Sequence, residues 1–135
     1  MRKNFLIAAL LIVGIFFTTA TAQAEMQTYE GHGEYRVQQG ETIDFGKQRA
    51  KKFAERDALE QIYLYVSSQS SAENFLLTKD EIIVIAAGLM YVTKTKFSTT
   101  TEDGKFIVQS TVVAEIDSDE VPAAVERYKK SRLEN

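Results

Sequence analysis

A chain of 135 residues is sized for one domain, and with no cysteine it has no disulfide to staple that domain. Its formal net charge of -3, with no basic cluster facing a run of aromatics, speaks against a nucleic-acid partner. A chain of about this size buries roughly two-thirds of its unfolded surface, enough to fold without staples.

Arg2 and Lys3 precede an uncharged apolar run from Phe5 to Phe17 and small residues ending Ala22-Gln23-Ala24. That is the pattern of a secretory signal peptide over residues 1–24. The run is short against the roughly 20 residues a spanning helix needs, so membrane contact is expected only through this segment if it stays uncleaved. Cleavage after Ala24 would remove Arg2 and Lys3 and take the formal charge from -3 to -5. The chain is expected to be exported: periplasmic, at the cell surface or secreted. Glu25 stands where a lipoprotein carries its modified cysteine, so no lipid attachment is expected there.

Gln27–Val37 alternates as a strand, with Tyr29, Gly31, Gly33, Tyr35 and Val37 on one face and Glu30, His32, Glu34 and Arg36 on the other. Glycine weakens a strand interior, so Gly31 and Gly33 predict close approach by another element. Thr42–Val66 reads as one long amphipathic helix. Ile43, Ala50, Ala54, Ala58, Ile62 and Tyr65 gather on one side, flanked by Leu59 and Val66. The alanines let it lie close to a flat partner such as a sheet. Thr42 is its expected N-cap, and Gly46 weakens its first turn. Ser67–Asn74 reads as a loop or short edge strand.

Thr78-Lys79-Asp80-Glu81 is a capping box that opens a helix from Lys79 to about Ala87, with Gly88 ending it or starting the next strand. Leu89–Thr101 and Lys105–Asp117 are strand-like runs around Asp103-Gly104, a tight-turn signal. With those two as the turn, Phe97 faces Ser110, Thr95 faces Val112, Thr93 faces Ala114 and Tyr91 faces Ile116. Ser118–Asn135 reads as a helix capped by Ser118, with a stripe of Val121, Ala124, Val125 and Tyr128 and a basic end. The expected fold is α+β: an antiparallel sheet of three or four strands, order β-α-α-β-β-α, with the long helix across one face. The expected division is residues 25–118 as the domain and 119–135 as a C-terminal helix.

The strand with YEGHGEY, then QRAKKFAERDALEQI, VSSQS, ENFLLTKDEI, AAGLMYVTKTKFS, an acidic-glycine turn and KFIVQSTVVAEI together resemble a known family. It is the amino-terminal domain of the flagellar T-ring protein and its relatives among small envelope lipoproteins. The resemblance runs from about Thr28 to Ile116 and is sharpest at Arg49-Ala50, Arg56-Asp57-Ala58-Leu59 and Gly88. It implies a small α+β domain in an envelope or surface-appendage setting and no enzyme activity.

Function is expected to be non-catalytic: a protein-interaction or assembly domain of the cell envelope, bound to an envelope or appendage protein or to copies of itself. Phe45, Tyr63 and Tyr128 are the candidate partner contacts. The alternative is a small-ligand or metal-binding module, for which Glu30, His32 and Glu34 project together from one strand face. No cofactor is expected. A serine nucleophile in Ser67–Asn74 would need a general base, and His32 is the chain's one histidine, so no catalytic residue is assigned.

Overall fold

The computed structural model describes residues 25–72 and 77–135, with side chains for 25–69 and 77–135. Residues 1–24, where a leader is expected, and residues 73–76, which include the last two of the Ser67–Asn74 stretch, lie outside the described residues. In chain order come β1 (Met26–Arg36), α1 (Ile43–Ala72), α2 (Lys79–Leu89), β2 (Tyr91–Glu102), β3 (Lys105–Asp117) and α3 (Glu120–Leu133). The fold is α+β, with one antiparallel sheet of three strands ordered β1-β3-β2. β3 is central, and among the described residues both neighbours are edges.

The two glycines of β1 explain how α1 meets the sheet. A Cβ on Gly33 would overlap the Ala50 carbonyl oxygen and the Ala54 nitrogen, and one on Gly31 would overlap the Ala54 carbonyl oxygen and crowd Ala58. Strand and helix backbones touch because neither side offers more than a methyl group. Gly46 has the same role one turn earlier, where a Cβ would stand 2.8 Å from Val37 Cγ2 and 3.1 Å from Val108 Cγ2. Its helix-propensity cost is offset by packing.

The buried positions of α1 are Gly46, Ala50, Ala54, Ala58, Ile62 and Val66, one every four residues. Each step of four overshoots a full turn by about 40°, so the row winds around the helix. Its first half faces β1 and β3. Its second half, Ile62 and Val66, joins Ile82, Ile85, Ala86 and Leu89 of α2 and Val121 and Val125 of α3. A straight stripe at fixed angle misplaces the ends: Ile43 is 38% exposed and Tyr65 only half-buried. The helix also continues through Ser67 to Ala72, where a loop or edge strand was expected. Serines disfavour helix interiors only weakly, and Ser68 Oγ bonds back to the Tyr65 carbonyl.

The capping box forms as read: Glu81 N–H donates to Thr78 Oγ1 at 3.3 Å and Thr78 N–H to Glu81 Oε2 at 2.8 Å. α2 runs past Gly88 to Leu89, so Gly88 neither ends it nor opens β2. In the hairpin, Asp103 (φ 51) and Gly104 (φ 73) make the turn, Glu102 faces Lys105, and Phe97 faces Ser110. The expected register holds as far as Lys94 and then breaks at a bulge between Val92 and Lys94. Val92, not Thr93, faces Ala114, and Tyr91 faces Glu115, not Ile116. The extra residue turns Tyr91 to the other face, where its hydroxyl donates to Glu115 Oε2 at 3.2 Å. Burial lifts the Tyr91 phenol above its usual range, helped by that carboxylate.

α3 begins at Glu120, and Asp119 at its N-cap makes no side-chain capping bond. Ser118, expected as the cap, instead ties down the start of the chain: its N–H (2.9 Å) and Oγ–H (2.8 Å) both donate to the Glu25 carbonyl. The stripe is as expected, with Val121 and Val125 buried and Ala124 and Tyr128 packed on the core. No helix among the described residues is long and apolar enough to cross a membrane.

Candidate functional site

Tyr35, near the end of β1, is fixed by the turn that follows. Its hydroxyl donates to both oxygens of Glu41 at 2.9 Å, and Gln38 N–H donates to the same carboxylate at 2.9 Å. The bond to Glu41 raises the Tyr35 phenol above 10.0, because ionisation would set two anions together. On α1, Phe45, Arg49 and Phe53 are spaced four apart and share one flank. The Phe45 ring meets Tyr35 edge-on at 6.0 Å, and the Phe53 ring lies 6.4 Å from it. The Arg49 guanidinium sits 5.7 Å from the Tyr35 ring centre and 5.5 Å from that of Phe53. Phe45 is 42% and Phe53 40% exposed. Three rings and one guanidinium therefore form a contiguous solvent-facing patch beside β1.

The other expected contacts lie elsewhere. Tyr63 is half-buried against the core, with Lys79 Nζ 5.7 Å over its ring. It lines a cavity of about 390 Å³ between α1 and α2, with Arg56, Leu59, Glu60, Leu64, Lys79 and Ile83. Tyr128 is half-buried in a shallow groove between α2 and α3, beside Leu89 and Ala124. Of the three aromatic candidates, only Phe45 belongs to the patch.

Glu30, His32 and Glu34 do project from one face of β1, the face turned away from α1. His32 Nε2 lies 3.3 Å from Glu30 Oε1, and His32 Nδ1 lies 3.3 Å from Thr111 Oγ1. Glu34 turns the other way and accepts from Gln109 Nε2 at 3.1 Å, while Ser98 Oγ donates to Gln109 Oε1. The three side chains are ordered into a polar ladder across the sheet. Among the described residues, no three histidine or carboxylate groups converge to hold a metal ion.

Arg49 and Phe53 were missed in the sequence because they fall on what reads as the solvent side of α1. Only Tyr35 on the neighbouring strand makes them part of a cluster. A heptad-blind signal was present: Phe45, Arg49 and Phe53 repeat every four residues, with large rings where a solvated face needs none. The fold and this surface define a small α+β domain with an exposed aromatic patch. No family model matches the chain, and no curated protein or solved structure is significantly similar to it.

Proposed function

We propose that this chain is a non-catalytic, exported domain that works by binding another protein of the bacterial cell envelope or a surface appendage, or by assembling with copies of itself. The observation that carries the reading is the Tyr35–Phe45–Arg49–Phe53 patch. Aromatic rings and arginine concentrate at the energetic centres of protein interfaces, where large rigid surfaces are desolvated at little entropic cost. Two phenylalanines held in solvent by their own packing on a tyrosine are hard to explain as core. Export rests on the leader pattern of residues 1–24, and the envelope setting on the resemblance to T-ring-like domains.

The test is capture from crosslinked envelope extract of the source organism, comparing wild type with a Phe45→Ala/Phe53→Ala variant whose fold is checked by circular dichroism. The variant is expected to lose a discrete wild-type partner by about tenfold or more, the size of a hot-spot truncation. Equal capture by both proteins, or none by either from a wild type that is also monomeric, overturns the proposal.

A further inference from the structure

The sheet has two edges, and they are finished differently. Val37 N–H donates to the Phe106 carbonyl at 2.9 Å, so the even-numbered residues of β3 bond toward β1 and the odd-numbered ones toward β2. On β1 the backbone of His32 and Glu30 consequently points outward, and α1 meets it there. Asp57 Oδ2 accepts His32 N–H at 2.8 Å, and Gln61 Nε2 donates to the Glu30 carbonyl at 2.8 Å. On β2 the outward backbone groups are those of Thr95, Phe97, Thr99 and Thr101. Among the described residues that strand pairs with β3 alone, and α1 reaches it with Lys47, whose Nζ stands 5.8 Å from the Phe97 ring centre. Phe97 is 43% and neighbouring Phe106 46% exposed on the helix side.

We propose that β2 is a self-association edge. Two copies pair their β2 strands antiparallel about a twofold axis at Ser98, giving one six-stranded sheet. This rests on the interaction reading above and names a second copy of the chain as the partner. The regular part of β2 is bounded by the bulge on one side and the Asp103-Gly104 turn on the other, running Lys94 to Glu102, and Ser98 is its midpoint. In that register the outward groups meet as pairs, Phe97 with Thr99 and Thr95 with Thr101 of the second copy. On the other face, Lys94 stands opposite Glu102 at both ends, and Lys96 opposite Thr100. Antiparallel pairing about a twofold makes each match occur twice.

Neighbouring registers are poorer. Centring on Phe97 sets Lys94 against Thr100 and leaves Glu102 without a cation. Centring on Thr99 sets Lys94 against Gly104 in the turn. Centring on Thr99 does set Lys96 against Glu102, but only the Ser98 register uses the whole regular strand and sets Lys94 against Glu102 at both ends. It also brings the two exposed Phe97 rings onto the diagonal, within aromatic reach. Lysines on an edge strand ordinarily discourage pairing, but here the same strand supplies the counter-charge of Lys94. Glu102 lies 3.7 Å from Arg36 Nη2 and remains 62% exposed, so it is open to a second cation.

The test is sedimentation velocity on the full chain, expressed for export and purified as the cell yields it, from micromolar to near-millimolar concentration. Wild type is expected to show a reversible monomer–dimer equilibrium. Thr99→Pro removes an outward N–H without touching the β2–β3 ladder, so it should fold and stay monomeric. Lys94→Glu and Glu102→Lys should each weaken the dimer about tenfold, and their combination should restore it. A wild type that is monomeric throughout, or a dimer indifferent to Thr99→Pro, overturns the proposal. A wild-type monomer that still loses an envelope partner with Phe45→Ala/Phe53→Ala overturns self-association alone. A monomer that captures nothing overturns both readings.

Discussion

β1 and β2 are the two outer strands of one sheet, yet only β1 is built into the body of the protein. α1 presses its alanines onto Gly31 and Gly33 and reaches round with Asp57 and Gln61 to occupy the outward backbone of β1. Among the described residues β2 has no such caps, and although Val92 packs on the core and Lys47 lies over Phe97, most of its residues are exposed. An edge strand left open over most of its length is a template for another strand, and natural sheets usually blunt such edges. The difference separates the part of this domain that makes the fold from the part available to a partner.

The largest effect should come from breaking the closed side. Gly33→Ala puts a methyl group where the Ala50 carbonyl stands. It should cost about 3 kcal/mol and lower the melting temperature by roughly 12 °C. Thr99→Ala on the open side should change stability by less than about 0.5 kcal/mol in the same calorimetric measurement. Asp57→Ala should fall between them, at about 1 kcal/mol, because it leaves His32 N–H to water rather than burying it.

The smallest effect concerns the end of β1. The Tyr35 phenol is held above 10.0 chiefly by its bond to Glu41, so the unfolded chain ionises this tyrosine first. Its contribution to stability is whole below pH 10.0 and fades as pH rises through the raised folded value. Glu41→Gln should move the phenolate absorbance of Tyr35 back toward the ordinary range.

Much of the closed side was legible in the sequence. Two glycines on one strand face and alanines repeating on the next helix already imply a close strand–helix contact. The capping box and the Asp103-Gly104 turn are local chemistry and formed as read. What was not legible depends on partners far along the chain. The bulge near Thr93 cannot be seen, because Tyr91-Val92-Thr93 alternates acceptably in either register. Asp57 and Gln61 look like solvated helix residues until β1 lies beside them. Arg49 and Phe53 look the same until Tyr35 does. The row on α1 turns by about 200° over twenty residues (about 40° per step of four). A single apolar face missed its ends because the first half meets the sheet and the second meets α2 and α3.

The contrast between the edges is tested most directly by residue-resolved amide hydrogen exchange in the native protein, at low and at high concentration. At low concentration His32 should be protected although its amide faces outward on an edge. Lys96, Ser98 and Thr100 should be protected while Thr95, Phe97, Thr99 and Thr101 exchange freely. Raising the concentration should slow those four and little else. Equal protection along β2 at the lowest concentration, or a freely exchanging His32, would contradict the account.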